Sequence, residues 1–184
     1  MKVYRHICMN NAEVWVVNSN ENALFRGEDE EIKVFEARVI QFIIDETIGN
    51  DRIVHEKNGA PFLENNKQKN ISISHSGNWF ALYVSENGPV GIDIQLMEFP
   101  LEIAEEHFLI PEEVNLVETR RNRLYLAWCA KEAAFKCLRG RLTDLKNDFT
   151  ITSLTDNSVK ISTKTNQILI SAEQKENLVL AFTT

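Results

Sequence analysis

Apolar residues recur with the period of a helix over two long stretches of the chain and alternate with polar residues over several short ones. The helical period predicts one long helix over about Asp29–Ile48 and another over Arg121–Leu138, each followed closely by a glycine that can end it. Shorter helices are predicted over Leu101–His107 and Pro111–Thr119. Apolar residues cover most of the circumference of the Arg121–Leu138 helix, which is typical of a helix buried on most sides.

Short alternating segments predict strands over Ala12–Val17, Ile71–Ser76, Phe80–Ser85, Gly91–Gln95, Phe149–Ser153, Val159–Thr163, Gln167–Ser171 and Leu178–Phe182. The second and third of these flank Gly77-Asn78, which predicts a hairpin. The stretch from Lys57 to Lys69 is predicted to be a loop. Each half of the chain thus has one long helix and a set of antiparallel strands. This order predicts an α+β protein of two similar halves, residues 1–90 and 91–184.

Composition and charge limit the classes of protein to which the chain can belong. Its 184 residues are 43% hydrophobic, and its net charge of −7 argues against attraction of the whole protein to nucleic acid. No apolar run reaches the roughly 18–20 residues that span a bilayer, and the first residues lack the apolar stretch of a secretory signal. Cys8, Cys129 and Cys137 lack metal-ligand spacing. We therefore expect a soluble, cytoplasmic monomer with no membrane or nucleic-acid partner.

Two acidic residues stand on elements that a fold can hold rigidly. In the Gly91–Gln95 strand, alternation places Asp93 and Gln95 on one side and the two isoleucines on the other. In the long second helix, Glu132 and Lys136 lie one turn apart on the same face. Two carboxylates on separate elements, with a lysine beside one of them, suit a hard divalent cation that holds a phosphate ester.

Each of these features also has a structural explanation. A Glu–Lys pair at this spacing is usually a surface ion pair that contributes about 0.2–0.5 kcal/mol, and Asp93 could cap a turn at the end of its strand. His75 is more often a structural histidine than a ligand. Lys131 projects among apolar residues of its helix, so its ammonium either reaches solvent or meets an anion. The cost of burying an unpaired ammonium favours an anion such as a phosphate.

Four short motifs follow one another between Gly59 and Gly140. They are Gly59-Ala60-Pro61-Phe62-Leu63, Ile73-Ser74-His75-Ser76, Gly91-Ile92-Asp93-Ile94, and Trp128-Cys129-Ala130-Lys131-Glu132 with Lys136. In this order they resemble the motifs of the 4′-phosphopantetheinyl transferases of the surfactin-synthetase-activating type.

The resemblance implies a pseudo-twofold α+β fold, in which each half is a long helix packed on an antiparallel sheet and the active site lies in the cleft between the halves. It implies an enzyme of the holo-[acyl-carrier-protein] synthase type. Such an enzyme transfers the 4′-phosphopantetheine group of coenzyme A to a serine of an apo acyl or peptidyl carrier protein and releases 3′,5′-ADP. Mg²⁺ would be its cofactor and coenzyme A its substrate.

The resemblance also gives roles to residues of the second half. Asp93 and Glu132, with Gln95, would hold Mg²⁺ on the pyrophosphate. Glu132 would orient or deprotonate the incoming serine. Lys136 and Lys131 would neutralise charge on the pyrophosphate and the leaving phosphate. Asp93, Glu132 and Lys136 are therefore the expected catalytic residues.

In the first half, Ser74 and His75 would meet the 3′-phosphate of coenzyme A, and the backbone from Gly59 to Pro61 would run past the adenine. Three departures from the usual family motifs bear on these roles. Gln95 stands where a glutamate is frequent, and Ala60 replaces a lysine. The acidic start of the first long helix lacks the basic pair that relatives carry there.

Lys33 and Arg38 are possible substitutes for that basic pair. The departures also leave an alternative function open, a non-catalytic coenzyme A or carrier-protein-binding module that kept the fold while its site eroded. A third interpretation, a general Mg²⁺-dependent phosphohydrolase, explains the carboxylates but not the accompanying motifs.

Overall fold

The structure, a computed structural model, describes residues 1–98, 100–118 and 120–184. These residues form two compact units, Met1–Pro89 and Val90–Thr184. Each unit combines one long helix with an antiparallel sheet, which confirms the α+β class predicted from the sequence. None of the described helices is long and apolar enough to cross a membrane.

The first unit contains strands β1 (Arg5–Met9) and β2 (Ala12–Asn18), helix α1 (Ile32–Thr47), the short hairpin of β3 (Ile53–His55) and β4 (Pro61–Leu63), and strands β5 (Asn70–Ser76) and β6 (Trp79–Ser85). One antiparallel sheet has the strand order β1-β2-β6-β5. Strands β5 and β6 form the hairpin that the Gly77-Asn78 signal predicts. The buried face of α1, which includes Val39 and Ile43, packs with Phe80 and Leu82 of the sheet.

The second unit contains strand β7 (Ile92–Leu96), helices α2 (Glu105–Phe108), α3 (Pro111–Val117) and α4 (Arg121–Cys137), and strands β8 (Thr150–Leu154), β9 (Ser158–Ser162), β10 (Gln167–Lys175) and β11 (Leu178–Thr183). Its antiparallel sheet has the strand order β7-β11-β10-β9-β8, and α4 packs on it. Buried residues of α4 cover most of its circumference, as its apolar sequence predicts.

Helix α1 begins at Ile32 rather than at about Asp29. The carboxylate of Glu30 accepts the backbone N–H of Gly27 at 3.1 Å. It also accepts two hydrogen bonds from Arg38, at 3.0 Å from Nε and 2.9 Å from Nη2. These bonds hold the acidic segment in a turn before the helix. They also pair the Arg38 guanidinium with a carboxylate of its own unit.

Other elements also differ from the prediction. Strands β1 and β3 were not predicted, and Pro61–Leu63 forms a strand inside the stretch predicted to be a loop. The helix expected over Pro111–Thr119 covers Pro111–Val117, and Thr119 lies outside the described residues.

A buried carboxylate, that of Asp51, orders the region of the β3–β4 hairpin. It accepts hydrogen bonds from the backbone N–H of Arg52, and from both the backbone and the side-chain amides of Asn65 and Asn66. Burial alone would raise the pKa of Asp51, but these bonds favour the ionised form and lower the pKa to about 2. The two ends of the hairpin segment are therefore held together by one charged group.

A buried ion pair links α4 to the segments around it. The Lys131 side chain is fully buried, and its Nζ lies 2.7 Å from Oε2 of Glu113. The same Nζ donates to the carbonyl oxygens of Phe108 at 2.7 Å and Leu145 at 3.1 Å. An ammonium has three N–H donors, so three protein oxygens satisfy the hydrogen-bonding capacity of Lys131.

Glu113 is buried as well, and its carboxylate also accepts the backbone N–H groups of Ile110 and Ile151. The pair therefore connects α4 with the start of α3 and with β8. Burial lowers the pKa of Lys131, and the hydrogen bond and charge of Glu113 oppose that shift. This placement corrects the expectation that Lys131 meets a coenzyme A phosphate, because the ammonium is enclosed in the interior of the unit by its own chain.

We predict that Lys131→Met lowers the free energy of unfolding by about 3–5 kcal/mol, because it leaves the carboxylate of Glu113 buried without its cation. Urea denaturation of the variant and the native protein measures the difference. The double variant Lys131→Met/Glu113→Gln is the control, and it should recover part of the loss because Gln is neutral and its one amide oxygen still accepts one of the two backbone N–H groups. A single variant as stable as the native protein would contradict the structural role.

Candidate active site

Asp93 is the second residue of β7, and its side chain is buried against α4. Lys136, in the last turn of α4, donates from Nζ to Oδ1 of Asp93 at 2.7 Å and to the carbonyl oxygen of Ile92 at 3.1 Å. This charge-assisted hydrogen bond ties the strand to the end of the helix. Two residues that the sequence places in separate motifs are thus in direct contact.

Gly91 allows β7 to lie this close to α4. A Cβ atom at Gly91 would lie 1.8 Å from the carbonyl oxygen of Ala133 and 2.7 Å from the backbone nitrogen of Cys137. Both are backbone atoms of α4, so neither can rotate away. Gly91 is also fixed on its other side, where its N–H donates to Oγ1 of Thr183 at 3.0 Å.

Glu132 is half-buried on α4, one turn before Lys136. Burial and the negative charge of Asp93 raise the pKa of Glu132 above its ordinary value, and the positive charge of Lys136 opposes the shift. We refer to Asp93, Glu132 and Lys136 as the carboxylate cluster. Its two carboxylates and one ammonium leave an excess of one negative charge when all three groups are ionised.

Cys129 lies on the same face of α4, one turn before Glu132, and its side chain is fully buried. Burial, followed by the negative charge of Asp93 and hydrogen bonding to it, raises the pKa of Cys129 well above its ordinary value. The thiol therefore stays protonated near neutral pH.

Gln95 lies two residues beyond Asp93 on β7, on the same side of the strand. It is half-buried, and its Nε2 donates to the carbonyl oxygen of Leu96 at 3.3 Å.

The carboxylate cluster and Gln95 supply oxygen donors, the type that Mg²⁺ prefers. In the part of the chain that the structure describes, no group of three or more His, Cys, Asp or Glu side chains is arranged to hold a metal ion. Mg²⁺ usually keeps several waters and binds through one or two carboxylates together with substrate phosphates. This donor set therefore fits a Mg²⁺ ion shared with a phosphate, and the excess negative charge favours such an ion.

The other predicted site residues belong to the first unit. Ser74 is buried on β5, and His75 is exposed beside it with its Nε2 3.5 Å from Oε2 of Glu36 on α1. Gly59 has a φ of +85° in the turn between β3 and β4, a conformation that favours glycine, and Pro61 begins β4. The roles of Ser74, His75, Gly59 and Pro61 in binding stay predictions.

The family model for the 4′-phosphopantetheinyl transferase superfamily matches residues 89–183, just over half of the chain. The chain belongs to this superfamily. The matched region contains β7 and α4, and with them the whole carboxylate cluster.

A protein of Synechocystis sp., provisionally named a 4′-phosphopantetheinyl transferase, is 33% identical to this chain over 88 residues. The match covers 42% of this chain and 35% of that relative. The chain therefore matches about a third of the length of this relative.

Sequence reasoning missed two residues that shape this region of the superfamily fold. Glu113 is the third residue of α3, where a glutamate commonly accepts a backbone N–H at the helix start. That signal predicts its bond to Ile110 but not its ion pair with Lys131. Cys129 stood within a recognised motif, yet its contact with Asp93 depends on tertiary packing.

We predict that Gly91→Ala lowers the free energy of unfolding by about 3 kcal/mol or more. This loss is at or above the upper end of the usual cost of overpacking a core, because the added Cβ would clash with backbone atoms, which cannot rotate away. Denaturant unfolding measures this loss. Gly27→Ala is the control, because the nearest atom to its added Cβ lies at an ordinary 3.6 Å. Equal stability of the two variants would show that β7 and α4 can separate without cost.

We predict that Glu132→Gln stabilises the protein at neutral pH. The pKa of Glu132 is raised by folding, so ionised Glu132 disfavours the folded state, and stability is lost as the pH rises from the ordinary glutamate pKa of about 4.3 through the raised value. Calorimetric scans at several pH values should show a higher Tm for the variant near pH 7 and equal Tm values at acidic pH. In a chain of this length each kcal/mol appears as about 2–4 °C.

Glu112→Gln, on the exposed side of α3, controls for the loss of one surface charge. A Tm difference for Glu132→Gln that is independent of pH, or a lower Tm at neutral pH, would contradict the prediction that ionised Glu132 destabilises the folded state.

Proposed function

We propose that this protein transfers the 4′-phosphopantetheine group of coenzyme A to a serine of an apo acyl or peptidyl carrier protein and releases 3′,5′-ADP. The observation that carries the proposal is the carboxylate cluster, in which Lys136 lies 2.7 Å from Asp93 and the Asp93 charge contributes to the raised pKa of Glu132. The order of the four motifs supports the surfactin-synthetase-activating type within the superfamily.

Asp93 and Glu132, with the amide oxygen of Gln95, would hold Mg²⁺. When bound, the ion would withdraw negative charge from the phosphorus under attack. The amide of Gln95 carries no charge, so the two carboxylates provide the electrostatic attraction of this site.

Glu132 has the properties of a general base. Its raised pKa gives it a higher proton affinity than an ordinary carboxylate, and its half-buried position leaves part of the group accessible. It would accept the proton of the carrier serine, directly or through a water, as the serine oxygen forms its bond to the pantetheine-bearing phosphorus. The bond from that phosphorus to the bridging oxygen then breaks, and 3′,5′-ADP leaves with the electron pair.

Lys136 would neutralise negative charge that develops on the pyrophosphate. Its side chain is 26% exposed, so the ammonium can contact a ligand while it remains beside Asp93. In the first unit, Ser74 and His75 would contact the 3′-phosphate of coenzyme A, and the Gly59–Pro61 turn would pass the adenine. The Glu36 carboxylate near His75 weakens the attraction of this part of the site for an anion.

The test is to incubate the protein with coenzyme A, Mg²⁺ and an apo carrier protein and to measure the mass of the carrier. We expect a gain of one phosphopantetheine group. Asp93→Ala and Glu132→Ala should abolish the gain, and Lys136→Met should slow it by about 10²–10³-fold, the scale for loss of one electrostatic donor. Lys160→Met, which removes an exposed lysine of β9, is the matched control.

The outcomes separate the competing functions. Transfer of phosphopantetheine by both alanine variants in Mg²⁺ would contradict the assignment of the site. Hydrolysis of coenzyme A without a gain in carrier mass would favour a phosphohydrolase. Binding of coenzyme A or carrier without either reaction would favour the non-catalytic module.

A further inference from the structure

We propose that Cys8 is a modification site, at which the thiol exchanges with low-molecular-weight disulfides and His6, oriented by Glu13, acts as the general base. We refer to Cys8, His6 and Glu13 as the thiol cluster. The product is a mixed disulfide on β1, the edge strand of the first sheet. The proposal goes beyond the proposed function, because the thiol cluster shares no residue with the carboxylate cluster.

The pairing of β1 with β2 brings the thiol cluster together. Cys8 lies directly opposite Glu13, and His6 lies directly opposite Trp15. Alternation along both strands places these four side chains on the same face of the sheet. Opposite side chains on one face are neighbours, and long side chains also reach their diagonal neighbours, as His6 and Glu13 do here. The register of one strand pair therefore builds the thiol cluster.

The imidazole of His6 is held from two sides. It stacks on the indole of Trp15, with ring centroids 3.5 Å apart and an angle of 16° between the planes. Trp15 in turn packs against the hydrophobic core of the first unit. Nε2 of His6 lies 3.0 Å from Oε2 of Glu13. Because an ionised carboxylate can only accept, Nε2 carries the proton in this contact, and Nδ1 of the neutral ring is left as an acceptor.

The thiol of Cys8 lies beside this oriented ring. Its Sγ is 3.9 Å from Nδ1 and 3.5 Å from Nε2 of His6. Nδ1 can therefore accept the thiol proton, and the imidazolium that forms places a positive charge next to the thiolate. A nucleophile, a base and a third group that orients the base form the arrangement by which proteins activate weak nucleophiles.

The reaction exchanges one disulfide for another, so it needs no further oxidant. The S–H proton of Cys8 moves to Nδ1 of His6, and the Cys8 sulfur forms a bond to one sulfur of the reagent. The S–S bond of the reagent breaks, and its second sulfur leaves with the electron pair. This leaving thiolate takes the proton from His6. The products are a mixed disulfide at Cys8 and one free thiol.

The exposure of the thiol cluster suits this substrate class. Cys8 is exposed, whereas Cys129 is buried and Cys137 is half-buried. The side chains of His6 and Glu13 are 33% and 50% exposed, so a small reagent can approach the whole cluster. Exchange with a disulfide needs an accessible thiolate and a suitable leaving thiol, which an open strand edge can provide.

The experiment treats the full chain with bis(hydroxyethyl) disulfide near neutral pH and follows the mass of the Cys8 peptide after acid quenching and digestion. This reagent is uncharged, so the net charge of the protein does not repel it. N-acetylcysteine amide in the same solution is the reference thiol. Because an ordinary thiol is only a few per cent ionised near pH 7, we expect Cys8 to react about 10-fold faster than the reference.

Variants separate the thiol cluster from an ordinary surface cysteine. His6→Phe keeps an aromatic ring beside Trp15 but removes both nitrogens, so the rate at Cys8 should fall about 10-fold, to that of the reference. Glu13→Gln should also lower the rate, because the base loses its orienting carboxylate. Cys8→Ser should abolish the modification at this peptide, and Cys137→Ser is the matched control that should leave the Cys8 rate unchanged.

A native rate equal to that of the reference thiol, or an unchanged rate in His6→Phe, would overturn the proposal. A faster rate in Glu13→Gln would also overturn it, because the carboxylate would then act only by repelling the thiolate. Thermal unfolding shows whether each variant is folded, and the comparison with the reference thiol needs no variant. The reaction mixture contains neither coenzyme A nor a carrier protein, so its result is independent of the proposed transferase activity.

Discussion

The separation between β7 and α4 is the constraint on which the candidate site depends. An aspartate side chain is short, so Asp93 can be reached from α4 only if the strand lies almost against the helix backbone. Gly91 makes this possible, because any larger residue would place an atom 1.8 Å from a carbonyl oxygen of the helix. The same approach buries Asp93, and burial of a charge is costly unless the charge is paired. The ion pair with Lys136 offsets that cost.

Two lysines of α4 have different roles because helix geometry points their side chains in different directions. Lys131 and Lys136 are five residues apart, so their side chains point about 140° away from each other. Lys131 faces the interior, where it is 0% exposed and bonded to Glu113. Lys136 faces β7 and remains 26% exposed beside Asp93. The first ammonium has no capacity left for a ligand, and the second keeps part of its surface for one.

Much of the fold follows from local patterns in the sequence. The period of apolar residues predicted both long helices, and the Gly-Asn signal predicted the hairpin of β5 and β6, because these features depend on neighbouring residues. The partner of Lys131 could not be predicted in this way. Glu113 lies 18 residues earlier on another helix, and only the packed structure brings the two together. Likewise, Pro61–Leu63 forms a strand by pairing with Ile53–His55, and the Asp51 carboxylate holds the two ends of this hairpin together. The local polar composition does not reveal either contact.

The energetic state of Glu132 bears on whether the site is active or eroded. A half-buried carboxylate next to Asp93 opposes folding at neutral pH, since burial and the neighbouring charge both disfavour its ionised form. A neutral glutamine would fit the same position on α4 without that cost. Mutations that accumulate without a catalytic requirement should therefore replace Glu132 early. Its presence beside Asp93 and Lys136 favours the active transferase over the non-catalytic module.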